Sequence, residues 1–480
     1  MNSNGHTFLD KVLSIVKEES DEQRPLIHFK HPHDLEAILD LDISEGVTDK
    51  ELEACVRKVL QYSVKTNKGT FRNQLYGGTD PYGLAGAWIA EAFNTSQYTY
   101  EVAPAFTLIE LKVIDHILKL FGIPHGDGIF SPGGSISMLY GLVTARFKAF
   151  PKVKSKGVRS LPEMVIFTSE DSHYSVNKAA HWLGFGTESI RAIKTNELGQ
   201  MITGDLEAAI KKEIDLNRCP LLVNATAGTT VLGAIDELDA VADVCKKYGV
   251  WMHVDACWGG SLMLSHKYKN RLKGIERADS VSWNPHKMLG APLQCSVFLV
   301  REKGLLHEAN SAAAQYLFQQ DKFYDVTYDT GDKSVQCGRK IDAFKLWMMW
   351  KARGDAELSQ SVDRVMEVAE FCVEKVASKP GFRLVAAPLQ CPNVCFWYIP
   401  TFMRNKKEDQ QWWETMHKIT PKIKEQLMLS SRLMVAYSPL GTCRNFFRMA
   451  ITCHPVLQEK DVVAMLDSIE ECGEKIDLEL

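Results

Sequence analysis

No apolar run in this sequence approaches the roughly 20 residues needed to span a bilayer. The amino-terminal stretch MNSNGHTFLDKVLSIVKEESDEQ carries acidic residues and lacks the basic start, long apolar segment and small-residue cleavage site of a secretory signal. There is little charge imbalance. Lys and Arg total 56 against 60 Asp and Glu, a net charge of -4, which argues against nucleic acid or an anionic membrane surface as an obligate partner. Twelve cysteines are scattered without a CxxC pair or a paired metal-ligand array, so no metal site is expected. The nearest approach, Cys391 and Cys395 in CPNVC, reads as strand packing. Reduced thiols fit a cytoplasmic protein. The sequons at Asn94 and Asn224 are then chance matches, and the RGD at Arg353–Asp355 is an ordinary helix end. Internal repeats and low-complexity linkers are absent as well.

What remains is ordinary globular composition, 45% hydrophobic and 24% charged, over 480 residues, too long for one domain of usual size. Residues 1–105 are mostly helical in pattern: LEAILDLDI and DKELEACVRKVLQYSVKT place apolar residues at helical spacing. From 106 to 352 short apolar runs (EMVIFTSE, SIRAIKT, CPLLVNATAG, WMHVDAC, SVSWNPHK, CSVFLV) alternate with amphipathic helices such as LEAAIKKEID and LDAVADVCKKYG. That alternation predicts βαβ units, an α/β fold and a mostly parallel sheet. Residues 353–480 carry a long helical stretch, then FRLVAAP, NVCFWYIP and NFFRMAI as strands, then a terminal helix, the pattern of a smaller α+β domain.

Open parallel sheets bind ligands beyond the carboxyl ends of their strands. The unusual polar residues of this chain stand at such ends. SPGGSISMLYG places Gly133, Gly134 and Ser135 before a helix, where free N–H groups and a hydroxyl could hold a phosphate or merely make a turn. It is neither a Walker loop nor a GxGxxG fingerprint. VDACWGG puts Asp255 at a strand tip, able to cap a helix or to pair with a cationic ring nitrogen. His173 in SEDSHYS is either a hydrogen-bonded structural residue or a flat ring able to stack on a planar cofactor. Thr226 in NATAGTT is a turn residue or a hydroxyl donor to a ring oxygen. In SVSWNPHKMLG a lysine, Lys287, follows Asn, Pro and His at the end of a strand. A surface lysine needs no such setting, whereas one that attacks a carbonyl does. Together these features have one economical explanation: Lys287 forms a Schiff base with pyridoxal 5'-phosphate.

HVDACWGG and SWNPHKM resemble the pyridoxal-phosphate-dependent group II decarboxylases of the aspartate aminotransferase fold (fold type I), over nearly the whole chain from about residue 50. Within that group, FRNQL, NTSQYTYEVAP, GDGIFSPGGSIS, YLFQQDKFYDVTYDTGDKSVQCGR and FFRM are similar to the cysteine sulfinate and glutamate decarboxylase branch. The resemblance implies that Lys287 carries the cofactor, Asp255 pairs with the pyridinium nitrogen, His173 stacks on the ring and Thr226 lies near its phenolic oxygen. Gly134 and Ser135 would hold the phosphate, with Asn284 and His286 beside it. Tyr324 would protonate the substrate carbon, and Arg448 would grip the distal acid, assisted by Gln74 and by Ser96, Gln97 and Tyr98. Such enzymes are homodimers with shared active sites. Cys257 stands where the family usually has Ala, Met138 where Asn is common and Pro292 where an aliphatic residue is usual.

An arginine at 448 suits an acidic substrate, because it can bind a carboxylate or sulfinate through two charge-assisted bonds. Longer polar side chains at 96–98 would shorten the pocket below glutamate length, a difference of one methylene that decides about 1–3 kcal/mol. The expected reaction is α-decarboxylation of aspartate and cysteine sulfinate, to β-alanine and hypotaurine. Glutamate decarboxylation, and a catalytically silent paralogue serving as a binding partner, are the alternatives.

Overall fold

The computed structural model describes residues 3–21 and 23–476. A two-residue strand, Phe71–Arg72 (β1), precedes the seven strands of a large sheet: Asp127–Ser131 (β2), Met164–Ser169 (β3), Ile190–Ile193 (β4), Cys219–Thr226 (β5), Trp251–Ala256 (β6), Ser280–Trp283 (β7) and Ser296–Val300 (β8). Four further strands follow: Phe382–Leu384 (β9), Asn393–Tyr398 (β10), Met434–Leu440 (β11) and Cys443–Ala450 (β12).

The large sheet has the order β2-β8-β7-β6-β5-β3-β4. From β4 across to β7 all neighbours are parallel, as the alternating strand and helix pattern requires. The run CSVFLV departs from that pattern: β8 is antiparallel to both β7 and β2. Only 12 residues separate the end of β7 from the start of β8 and they hold no helix, so the chain turns back instead of crossing over. Every residue of β2, β3, β7 and β8 is buried, and the apolar runs MVIF of β3 and VFLV of β8 reflect it. The covering helices show the complementary stripe. Helix Leu238–Tyr248 buries Leu238, Val241, Ala242, Val244 and Cys245, and ends where Gly249 turns left-handed at φ 66°.

The second sheet has the order β1-β11-β12-β10-β9. Its first strand comes from the amino-terminal segment: β1 lies parallel to β11, with Phe71 opposite Met434. The strand period of two gives the sheet two distinct faces. Cys395 and Arg448 are paired across β10 and β12, and the Cys395 thiol donates to the carbonyl of Val231, so this face looks onto the large sheet's loops. The next residue, Met449, points the other way and meets Cys372 of helix Asp342–Ser378 at 4.0 Å. That helix, expected from about residue 353, starts at Asp342 and breaks at Gly354, whose φ of +65° suits glycine. One apolar core runs through both sheets and includes Val254, Trp283, Val394 and Phe447.

The amino-terminal helices contribute little to that core. Helix Asp49–Tyr62 is closed at its start by a capping box between Thr48 and Glu51, yet none of its residues is buried. Leu41, Ile43 and Val47 just before it are more than half exposed.

Candidate active site

Parallel register brings three strand ends side by side. Thr226 of β5 lies opposite Asp255 of β6, which lies opposite Ser282 of β7. Beyond β7 the chain makes a tight turn in which the Lys287 N–H donates to the Asn284 carbonyl (3.0 Å) and the Ala291 N–H to the Pro285 carbonyl (3.1 Å). The turn is also held from outside. The Asp80 N–H donates to the carbonyl of Gly290, and the Cys453 N–H to that of Met288. Lys287 thus projects from a braced loop into a cavity of about 230 Å³, whose walls include Gly134, Ser135, His173, Thr226, Asp255 and Asn284.

Charge is distributed over this cavity in a definite way. Burial pushes the Asp255 carboxyl upward, but the Lys287 ammonium and the Cys257 N–H (3.0 Å from Oδ1) outweigh it, so Asp255 stays ionised below the usual carboxylate range. Burial lowers the His173 pKa; Asp255 opposes this and Lys287 adds to it, the net result being a ring held neutral near pH 7. Its Nδ1 accepts from the Ser175 N–H at 3.2 Å, which fixes the imidazole plane and leaves Nε2 to carry the proton. The Tyr174 ring lies 4.3 Å from that of His173 and also lines the cavity.

Two features test whether these residues suit pyridoxal phosphate. First, the hydroxyl of Thr226 is buried and has no hydrogen-bond partner among the described residues, while the Thr226 N–H donates to Asp236 at 2.7 Å. An orphaned buried hydroxyl is costly unless a ligand atom meets it. Second, the backbone at Gly134 leaves no space for a side chain. A Cβ there would stand 2.6 Å from Cys257 Sγ and 3.0 Å from Asn284 Nδ2. The helix Gly134–Ala149 therefore presents its bare N–H groups at the cavity floor beside the Asn284 amide, a donor set suited to a phosphate. The residues fit the cofactor.

His286 is placed differently from the others near the lysine. It is buried, its Nδ1 lies 2.6 Å from the Cys295 carbonyl, and it does not line the cavity. Burial depresses its pKa to about 4, so it is a neutral prop for the turn.

Arg448 reaches the cavity's edge from β12. Its Nη1 donates to the carbonyl of Thr230, a wall residue, and its Nη2 to that of Asn73, whose neighbour Gln74 is exposed. Lys424 donates to the Asn73 side chain at 2.7 Å, so two cations meet at one asparagine, one on its side chain and one on its backbone carbonyl. Among the described residues no carboxylate lies within ion-pair distance of either. Burial lowers the pKa of both.

The remaining four residues gather elsewhere. Ser96 accepts from the Arg339 N–H, the Gln97 carbonyl accepts from Arg339 Nη1, and the Tyr98 carbonyl accepts from the Gly331 N–H. The Gln97 side chain is buried and donates to the carbonyl of Phe106. Tyr324 donates to Asp329 at 3.0 Å and packs on Tyr100 with ring centres 5.2 Å apart. Burial and the Asp329 carboxylate raise its pKa, against Lys322, so the phenol keeps its proton. None of these four lines the cavity of Lys287 within the chain. Sequence reading missed Tyr174, Thr230 and Lys424. The first is adjacent to His173, and proximity in sequence was a usable signal; the other two are brought in only by packing.

Residues 32–399 match the pyridoxal-dependent decarboxylase conserved domain. The chain is 45% identical over 476 residues to cysteine sulfinic acid decarboxylase of Mus musculus, covering 98% of this chain and 96% of that protein. It is 46% identical over 478 residues to the acidic amino acid decarboxylase GADL1 of Xenopus tropicalis, covering 98% and 93%. The crystal structure of mouse CSAD superposes with a TM-score of 0.96 at 44% identity, covering 99% of this chain and 100% of that one. The Oryza sativa TDC structure with PLP and tryptamine superposes at 0.88 with 24% identity, a likeness of fold alone.

Proposed function

The chain belongs to the pyridoxal-dependent decarboxylase family, and from that premise we propose that it removes the α-carboxyl group of small acidic amino acids, converting cysteine sulfinate to hypotaurine and aspartate to β-alanine. The observation that carries the substrate class is Arg448: a buried guanidinium at the cavity's edge which, among the described residues, is bound only to backbone carbonyls and has no carboxylate partner. A buried charge without a counter-ion is costly, and an anionic substrate end would supply one. Lys424 adds a second positive charge to the same side.

Pyridoxal phosphate, bound through Lys287, supplies an electron sink for the pair released when the carboxylate leaves. The protein's share is orientation and charge. Asp255, held ionised, keeps a cationic ring nitrogen protonated. His173 would offer the ring a flat neutral surface, the Thr226 hydroxyl would be free to bond a ring oxygen, and Gly134, Ser135 and Asn284 would donate to the phosphate. Arg448 orients the substrate so that the bond to be broken stands in a fixed direction. Tyr324, its phenol protonated, returns a proton to the substrate carbon.

Tyr324 and Ser96–Tyr98 lie away from Lys287 within one chain, so this reading requires a homodimer in which one copy's segment 96–98 and 324 completes the other's cavity. The exposed apolar residues of the amino-terminal helices would be covered in such a dimer. Mixing Lys287→Ala and Tyr324→Phe chains tests it: heterodimers should regain about half of wild-type activity, and a statistical mixture about a quarter, whereas no recovery despite mixed dimers rejects sharing. Domain limits at 105/106 and 352/353 and a cytoplasmic location complete the proposal. Among the described residues no helix is long and apolar enough to cross a membrane.

The decisive experiment is CO2 release from cysteine sulfinate, aspartate, glutamate and DOPA side by side. Turnover should favour the first two, and a clear preference for glutamate would reject the assignment.

A further inference from the structure

Under the floor of the cavity runs a chain of buried hydroxyls that no sequence motif announces. Ser131 at the end of β2 lies 2.7 Å from Ser137 in the first turn of helix Gly134–Ala149. Ser137 lies 3.2 Å from Ser296 at the start of β8, and Ser296 donates to Asn284 Oδ1 at 2.6 Å. Their exposures are 2%, 0%, 0% and 3%, so water does not compete for these bonds.

A hydroxyl has one proton to give, and this settles the direction of the whole chain. Ser296 spends its proton on Asn284, so in the Ser137–Ser296 bond Ser137 is the donor. Ser137 then has none left for Ser131, so Ser131 donates to Ser137. The alternative acceptor for Ser131, the Gly133 carbonyl, is farther, at 3.4 Å. All three protons point toward Asn284 and end on its carbonyl oxygen. The amide NH2 is thereby turned to the opposite side, where Nδ2 faces the cavity floor beside Gly134.

An amide is nearly symmetric in shape but not in charge. Flipped, Asn284 would aim a carbonyl at the place where the helix N–H groups converge, and the Ser296 proton would lose its acceptor unless the hydroxyl chain reversed. We propose that Ser296, backed by Ser137 and Ser131, is a positioning residue that locks Asn284 as a donor and so makes the floor selective for a phosphate-bearing aldehyde over the same aldehyde without phosphate. The inference rests on the cofactor reading above and adds to it residues that never touch the ligand.

The test titrates cofactor-free protein with pyridoxal 5'-phosphate and, separately, with pyridoxal, following capture at Lys287 by absorbance. Ser296→Ala should weaken the phosphate-bearing ligand about tenfold and leave pyridoxal unchanged, because one hydrogen-bonded donor is at stake. In an Asn284→Ala background, Ser296→Ala should have no further effect on the ratio of the two affinities, since the group it positions is gone. Pyridoxal capture reports folding independently. Should Ser296→Ala not fold, Ser296→Cys, with a weak donor of similar size, should give a smaller loss in the same direction. An unchanged ratio in Ser296→Ala, or an equal loss for both ligands, overturns the serine chain alone. A wild-type protein that captures neither aldehyde overturns the cofactor reading itself.

Discussion

Gly134→Ala is the sharpest probe of how the helix start is seated. The added methyl would lie 2.6 Å from Cys257 Sγ, about 1 Å inside ordinary contact, and 3.0 Å from Asn284 Nδ2. Backbone strain is not at issue, because the left-handed residue is the preceding Gly133, at φ +106°. The cost is therefore overpacking, about 2–3 kcal/mol. Cys257→Ala removes the offending sulfur and on its own should cost about 1 kcal/mol. If contact with that sulfur is the cause, the double variant Gly134→Ala/Cys257→Ala should be no less stable than Cys257→Ala by more than about 1 kcal/mol, a coupling of about 2 kcal/mol. The assay is urea unfolding of the four cofactor-free proteins, which isolates the protein's own packing. Titration with pyridoxal phosphate adds a second reading: the methyl still crowds Asn284 Nδ2, so the double variant should recover stability but not full cofactor affinity. Strict additivity of the two substitutions would refute the reasoning, since it would mean that sulfur and methyl never meet.

Three further outcomes follow from the same geometry. Asp255→Asn should keep its fold but lose about 10²–10³ in kcat at saturating cofactor, because a neutral amide cannot hold a cationic ring nitrogen; steady-state kinetics with cofactor content measured in parallel checks it. Arg448→Gln should raise KM for cysteine sulfinate about 30- to 150-fold, the worth of a charge-assisted pair of about 2–3 kcal/mol, and an unchanged KM would remove Arg448 from the substrate. Burial pushes the Asp236 carboxyl from 3.8 up to about 6, against its bonds to the Thr226 and Met201 N–H groups. A raised folded pKa favours the protonated form, so its contribution is present below about pH 4 and is lost as pH rises to 6. The stability of wild type relative to Asp236→Asn should thus fall by about 3 kcal/mol across that window and stay level above pH 7; a difference independent of pH in urea unfolding would contradict it.

Much of the architecture was legible because it is local. Strand runs such as EMVIFTSE and CPLLVNATAG are buried on both faces, so their composition alone marks them, and helix Leu238–Tyr248 carries its stripe in its spacing. The reversal of β8 was not legible, since a buried strand shows the same apolar run in either direction. Nor was the pairing of β1 with β11, which joins residues more than 360 positions apart through a segment of two residues. Cys391 and Cys395, four apart in CPNVC, are both free and buried, with the Cys395 thiol on a backbone carbonyl.

For the site, the amino-acid order by itself determined which side chains stand at strand ends, because a strand's end and its following turn are written in consecutive residues. Gly134, His173, Thr226, Asp255 and Lys287 could be named on that ground. Tertiary structure alone decided their relations. Parallel register set Thr226 against Asp255, the Ser131–Ser137–Ser296 chain turned the Asn284 amide, and the fold kept Tyr324 and Ser96–Tyr98 apart from the lysine. The physical reason is range: a turn closes through bonds between near neighbours, whereas burial, charge pairing and the direction of a hydrogen-bond chain depend on atoms that only packing brings within 3 Å.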